Sequence, residues 1–229
     1  MKDNLISKTF LWMCFGLLVT FITGYFVAHS EVMLENIYGG WGYWVFVIVE
    51  LLLVIVLSAR VMKMKPATAK VCFLLYSFIS GLTFASIFVF YAIDSIMLIF
   101  LVSAIIFAIM AIIGYTTKID LTKMGTYLFF GLIAVLIVAL INIFLNSSMV
   151  TMIVSIVCVI IFIGITAYDV QKIKMLENSG LPKENLAIYG ALDLYLDNSK
   201  IILHLLKKFA RLKKLKPRNS FPKNDTLAH

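Results

Sequence analysis

Long apolar runs separated by short polar connections dominate the sequence. A helix needs about 20 consecutive apolar residues to cross the hydrocarbon core of a bilayer. Six runs are close to this length and predict transmembrane helices at 9–28, 43–59, 71–91, 96–115, 127–145 and 149–168. The connections are too short to hold a second domain, so residues 1–229 are predicted to form a single integral membrane domain.

A seventh apolar segment, 186–206, differs from the others. It contains Asp193, Asp197, Lys200 and His204, which a helix places on one narrow stripe. Because such groups are too costly to face lipid, the stripe is expected to face other helices or a water-filled cavity. This predicts an all-α bundle of seven transmembrane helices, with the C-terminal helix central and the other six around it. A re-entrant or interfacial amphipathic helix at 186–206 is the alternative.

Basic residues in short loops predict the orientation, because cytoplasmic loops are enriched in Lys and Arg. The N-terminal segment and the loops on its side of the membrane carry eleven basic residues: Lys2, Lys8, Arg60, Lys63, Lys65, Lys70, Lys118, Lys123, Lys172, Lys174 and Lys183. The opposite loops carry none, so the N-terminus is predicted to be cytoplasmic. If segment 186–206 crosses the membrane, the basic tail at 207–229 lies outside the cytoplasm, which conflicts with the same rule. If the segment is re-entrant, the tail stays in the cytoplasm. Both arrangements stay open.

The composition excludes several classes of protein. Of the 229 residues, 62% are hydrophobic and 14% are charged, which is too apolar for a soluble globular domain or a disordered chain. Three cysteines are too few for a disulfide scaffold. The net charge of +8 comes largely from the tail, which is expected to contact anionic lipid headgroups rather than nucleic acid.

Ionisable residues within the apolar runs are candidates for function, because they are costly in lipid. Glu50 lies inside the second run, Arg60 at its cytoplasmic end, and Asp169 at the end of the sixth. Asp193 and Asp197 are four residues apart and share one helix face, so at least one of them is expected to keep its proton. Asp169 is expected to join them across helices.

Carboxylates that share protons titrate as one unit, which can serve as a pH sensor. Arg60 is expected to pair with one carboxylate and to be released when that group is protonated. Simpler interpretations are a headgroup-level residue for Asp169, a positive-inside anchor for Arg60, and a protonated hydrogen-bond donor in the core for Glu50.

Two C-terminal motifs resemble those of the Bax inhibitor-1 (transmembrane Bax inhibitor motif) family. The sixth run ends in Ala-Tyr-Asp-Val-Gln at 167–171, and the seventh contains Ala-Leu-Asp-Leu-Tyr-Leu-Asp at 191–197. Glu50, the Leu-Ser-Ala-Arg segment at 57–60 and the stretch 73–81 are also similar to the family pattern. The resemblance spans the whole chain.

The resemblance implies a seven-helix fold with the seventh helix enclosed by six others, and a pH-sensitive leak of calcium down its gradient. It also implies that Asp169 and Asp197 form the pH-sensing pair, with Arg60 as a latch. Asp193 and Glu50 are expected to line the ion pathway. Because two carboxylates make at best a weak site for a hard cation, Asp169 and Asp197 are expected to bind calcium only transiently. Calcium is then cargo, and no cofactor is expected.

The segment after Asp197 departs from the family pattern. Asn198-Ser199-Lys200 stands where the family commonly has Phe-Ile-Asn. Lys200 lies one helical turn beyond Asp197, and an ion pair between them is expected to keep Asp197 charged at lower pH.

The leading hypothesis is a calcium leak channel, not an enzyme, in a bacterial inner membrane, whose partners are the lipid bilayer, calcium and protons. An intramembrane aspartyl-protease-like enzyme is an alternative, since paired aspartates can act as acid and base. Gly-Ala-Leu-Asp at 190–193 lacks the second glycine of the motif in such proteases. A non-conducting regulator of other membrane proteins and a proton-coupled transporter are further alternatives. The sequence does not identify a protein partner.

Overall fold

A computed structural model describes residues 5–145 and 147–213, with side chains described up to residue 206 except at 143. Within these residues the chain is helical, without strands. The helices are α1 Leu5–Ala28, α2 Glu31–Tyr38, α3 Gly42–Arg60, α4 Pro66–Phe90, α5 Ile93–Thr116, α6 Thr122–Leu145, α7 Ser148–Leu176 and α8 Lys183–Lys213, with a 3-10 turn at Val61–Lys63. The prediction of an all-α protein is confirmed.

Six of these helices are long and apolar enough to cross a membrane, namely α1 and α3 to α7. They coincide with the six predicted runs. Local chemistry sets several of their ends: α4 begins at Pro66, which is favoured in the first turn, and the Ser147 hydroxyl caps α7 by accepting a hydrogen bond from the Val150 N–H. Helices α3 and α6 lie at the periphery and expose most of their apolar side chains, as helices facing lipid do.

Two features of the helices differ from the predicted elements. Helix α7 continues eight residues past the apolar run to Leu176, because Val170 and Ile173 are buried against neighbouring helices. Asp169 therefore lies within a helix and not at its end. The short helix α2 was not predicted. It is capped by Ser30 and held to the bundle by buried Ile37, which packs in a cluster with α1 and α4.

Helix α8 contacts α1, α4, α5 and α7. At its start, the Asn185 side chain donates hydrogen bonds to the carbonyls of Val61 and Met64. Toward its other end, Leu206 packs in a cluster with Phe88 near the end of α4 and Ile96 near the start of α5. It is one uninterrupted helix of 31 residues, about 46 Å long at 1.5 Å per residue. Helix α8 therefore runs the full height of the bundle.

The predicted basic tail, 207–229, lies outside the residues whose side chains are described. Its backbone is described only to Lys213, where it continues α8.

The middle of α8 is fixed by Tyr195, which is fully buried. Its ring makes edge contacts with the rings of Phe73 and Tyr76 on α4, at centroid distances of 6.0 and 5.6 Å. Its hydroxyl lies 2.7 Å from the Thr20 hydroxyl on α1, and the Thr20 hydroxyl also lies 2.8 Å from the Ser77 carbonyl oxygen. A polar group is thus satisfied inside the bundle, as a low-dielectric interior requires. Tyr195 ties α8 to both α1 and α4.

Candidate functional site

Asp169 on α7 and Asp197 on α8 come together where the two helices pack along each other. Both residues are buried, with exposures of 7% and 5%. Their carboxyl groups are within hydrogen-bonding reach of one another. Oδ2 of Asp197 receives no hydrogen bond from any N–H or O–H of the described residues. The structure therefore brings together the two aspartates that the resemblance singled out.

Asp193 lies one turn before Asp197 on α8 and makes a different contact. Its Oδ2 atom lies 3.3 Å from Nζ of Lys172 on α7. Lys172 also donates a hydrogen bond of 2.5 Å to the Tyr189 hydroxyl on α8. The three side chains form a polar bridge between α7 and α8, next to Asp169 and Asp197.

Lys172 was not identified as a candidate from the sequence, where it was counted among loop residues. Because α7 continues to Leu176, Lys172 is helical and lies three residues after Asp169. The i, i+3 spacing from Asp169 was the available signal, since it places both side chains on one helix face.

Lys200 does not form the expected ion pair with Asp197. Its ammonium lies instead over the Phe162 ring of α7, 5.0 Å from the centroid, and the residue is exposed. No salt bridge of Lys200 with a described acidic residue is formed, although its charge acts on Asp169 and Asp197 at longer range. The His204 ring stacks on the same Phe162 ring. The predicted stripe therefore faces α7, but its members have different partners.

Glu50 lies apart from the aspartates, between α3 and α4. Its two carboxylate oxygens accept hydrogen bonds from the hydroxyls of Ser80, at 2.7 Å, and Thr83, at 2.8 Å. The hydroxyl groups on α4 that hold Glu50 were not identified from the sequence, because single Ser and Thr residues in apolar runs carry no distinctive pattern. Glu50 is half-buried and joins α3 to α4.

Arg60 lies at the end of α3 and is exposed. Its guanidinium makes no hydrogen bond or ion pair with a described residue, so the structure does not bring it to Asp169 or Asp197. The polar link between this end of α3 and α8 is made by Asn185, which is 1% exposed and bonds the carbonyls of Val61 and Met64.

Among the described residues, no group of three or more His, Cys, Asp or Glu side chains is placed to hold a metal ion. Two facing carboxyls with one unpartnered oxygen offer few ligands to a hard cation, which prefers six or more oxygens. The arrangement suits brief contact with a passing ion better than tight binding.

These features define a helical integral membrane protein with carboxyl groups buried between two of its helices. The family model described as "Inhibitor of apoptosis-promoting Bax1" matches residues 2–214. The chain therefore belongs to the Bax inhibitor-1 family, and the resemblance drawn from its motifs is confirmed.

Relatives of similar length support this assignment. The chain is 38% identical over 212 residues to the inner membrane protein YbhL of Escherichia coli, with 89% of this chain and 90% of YbhL covered. It is 37% identical over 211 residues to an uncharacterized protein of Borreliella burgdorferi, covering 90% and 91% of the two chains. An uncharacterized protein of Deinococcus radiodurans is 33% identical over 204 residues, covering 88% and 87%. None of these three names describes an enzyme.

Proposed function

We propose that this protein is a pH-sensitive calcium leak channel in which a proton shared by Asp169 and Asp197 controls the opening of the α7–α8 contact. The observation that carries the proposal is the buried contact between the two carboxyl groups. Membership of the Bax inhibitor-1 family supports it, because the leak is the activity that the family resemblance implies.

The chemistry of the Asp169–Asp197 pair predicts whether the leak rises or falls with pH. Two ionised carboxylates are both acceptors, so a hydrogen bond between them needs a proton on one of the two. When that proton leaves, two negative charges face each other in a poorly solvated contact and repel. Repulsion acts between α7 and α8, each carrying one charge. The leak is therefore expected to rise with pH, and protonation is expected to close the contact.

The position of helix α8 is consistent with an ion pathway along the α7–α8 contact. We infer that it is a seventh membrane-crossing helix and that the other helices enclose it, because it runs the full height of the bundle and its fully buried residues cluster with α1, α4, α5 and α7. The N-terminus then lies in the cytoplasm, and α8 ends on the opposite side of the membrane. A bacterial inner membrane is the proposed location, as the name of YbhL states for that relative.

Arg60 is the proposed latch of a second state, in which its guanidinium engages a carboxylate. Two observations support this role: the side chain is exposed, and Asn185 fixes the start of α8 beside the residues that follow Arg60. Glu50 and Asp193 are the proposed accessory residues of the ion pathway, since each presents a carboxyl group between helices. Calcium and protons are the proposed partners, together with the lipid bilayer.

The test is calcium influx into liposomes that contain the purified protein, scanned from about pH 5 to about pH 8. Wild-type flux is expected to rise with pH, and both Asp169→Asn and Asp197→Asn are expected to remove this dependence. Asp94→Asn is the matched control, because Asp94 is an exposed acid in the first turn of α5 and should leave the profile unchanged. Arg60→Ala is expected to change the leak only at the higher pH, where an ionised carboxylate can engage the guanidinium.

Absence of flux in folded wild-type protein contradicts the proposal, as does an unchanged pH profile in both pair variants. The facing carboxyls also favour a second candidate, an aspartyl-protease-like enzyme, in which one acid would serve as base and the other as acid. Cleavage of a transmembrane peptide by wild type, lost in Asp169→Asn and Asp197→Asn, would establish that activity instead.

A further inference from the structure

Lys172 has an unusual position for a lysine in a membrane helix. Its ammonium group touches two oxygen ligands, the Tyr189 hydroxyl at 2.5 Å and Oδ2 of Asp193 at 3.3 Å, and its charge also acts on Asp169. Lysines near the end of a membrane helix ordinarily extend toward the headgroups. Lys172 instead bridges from α7 to α8.

Lys172 contacts Asp193 and acts by its charge on Asp169, whose carboxyl group faces that of Asp197. We call Asp169, Asp193 and Asp197 the acidic cluster. Lys172 is the lysine that forms a salt bridge to a member of the cluster among the described residues. The other nearby lysine, Lys200, rests on the Phe162 ring and is exposed. Lys172 therefore provides the close positive charge that balances the cluster.

The Asp193 carboxylate that contacts Lys172 is also the kind of group that binds calcium, although the described residues form no complete metal site. Carboxylate oxygens are the donors that calcium prefers. An independent observation points the same way: Oδ2 of Asp197, in a residue only 5% exposed, receives no hydrogen bond from described donors. The cluster thus holds one ammonium and one unpartnered carboxyl oxygen.

We propose that Lys172 acts as a tethered cation, which competes with calcium for the acidic cluster and keeps its affinity for calcium low. This inference rests on the proposed function in taking calcium as the transported ion. A leak needs weak binding, because an ion that is held tightly does not leave the pathway. A lysine side chain fixed among the carboxyls provides this weakness without removing the acids.

The competition predicts opposite effects for the two partners of the salt bridge. Lys172→Met removes the charge, keeps the approximate length of the side chain and leaves Asp193 available to calcium. Its affinity for calcium is expected to be at least about fivefold higher than that of wild type, the lower end of ordinary coupling between sites. Asp193→Asn removes one ligand and frees the ammonium, so its affinity is expected to be lower than that of wild type.

The experiment is equilibrium dialysis of radioactive calcium against the purified full-length protein in detergent, at one pH and with calcium alone as the probe. Lys172→Arg is the charge-retaining control and is expected to match wild type. Lys174→Met is the positional control, since Lys174 lies on the same helix end but donates to the Tyr115 carbonyl. Helix content by circular dichroism checks that each variant is folded.

Tighter binding in Lys172→Met alone, with Asp193→Asn weaker than wild type, supports the proposal. Equal affinities of Lys172→Met and wild type overturn it, as does a gain of the same size in Lys174→Met. If Lys172→Met does not fold, tighter or unchanged binding in Asp193→Asn overturns it. The binding assay does not depend on ion conduction. If Lys172→Met binds calcium more tightly but wild type shows no flux in liposomes, the channel proposal is wrong and the proposed competition between Lys172 and calcium is retained.

Discussion

Gly114 on α5 packs tightly against the backbone of α7, close to Asp169. A Cβ atom added at Gly114 would lie 2.2 Å from the carbonyl oxygen of Ala167 on α7, whereas real Cβ contacts essentially never fall below 3.0 Å. The neighbour is a backbone atom, so no side-chain rotation can relieve the overlap. Small residues allow such close packing between membrane helices. Gly114→Ala must therefore move α5 away from α7.

The size of the effect follows from this overlap. Reaching 3.0 Å from 2.2 Å requires a shift of 0.8 Å (3.0 minus 2.2) between the helices. Overpacking costs about 1–3 kcal/mol, and an overlap with backbone falls in the upper part of that range, about 2–3 kcal/mol. The better helix propensity of alanine offsets about 1 kcal/mol of this cost. We expect Gly114→Ala to lower the free energy of unfolding by about 1–2 kcal/mol. It should also disturb the contact of Asp169, two residues after Ala167.

Gly131→Ala is the matched control on α6. An added Cβ there would meet only the Cδ1 atom of Ile161 on α7, at 3.4 Å, which is an ordinary contact distance. This variant is expected to be neutral or slightly stabilising, because it gains helix propensity without overlap. The assay is unfolding by SDS in mixed micelles, followed by circular dichroism. A Gly114→Ala protein as stable as Gly131→Ala would refute the reasoning.

Two further stability predictions use the same unfolding assay. Tyr195→Phe removes the hydroxyl contact with Thr20. A double-mutant cycle with Thr20→Val is expected to give a coupling energy of about 0.6–1.7 kcal/mol. A coupling energy near zero would show that this contact does not hold α8 to α1. Asn185→Ala leaves the carbonyls of Val61 and Met64 without their donor and is expected to cost about 1–3 kcal/mol, whereas wild-type stability would indicate that water replaces the amide.

The membrane-crossing helices were predictable because lipid imposes a simple rule on them. A backbone in hydrocarbon must satisfy its own hydrogen bonds, so long apolar runs become helices. The helix ends were less predictable. Hydropathy falls after Tyr168, but α7 continues because Val170 and Ile173 are buried. The polar residues between them are held as well: Gln171 bonds the backbone of Ile119 and Leu121, and Lys172 bonds Asp193 on α8. An apolar run marks the part of a helix in lipid, not the whole helix.

The candidate site was also predictable only in part. The two motifs placed Asp169 and Asp197 together, as the structure does. The partners of the charges were not predictable, since they depend on which side chain fills the space between helices. Lys200 has the correct spacing for Asp197, yet the Phe162 ring provides its contact. Lys172 lay beyond the apolar run, and only the extension of α7 brings it to Asp193.

Arg60 illustrates the limit of arguments from membrane depth. The sequence places it near the level of the aspartates, but its side chain is exposed at the end of α3 and contacts neither of them. Depth along the membrane normal does not specify the lateral distance between two helices. The latch role therefore remains a proposal whose test is the leak of Arg60→Ala.

The most direct measurement of the central claim is calcium influx in one batch of proteoliposomes, moved between about pH 6 and about pH 8, for wild type and Asp197→Asn side by side. The shared proton predicts a larger wild-type influx at the higher pH, which reverses when the pH is lowered, and equal influx at both values for Asp197→Asn. A wild-type influx that does not change with pH, or an Asp197→Asn influx that changes as wild type does, would contradict the account.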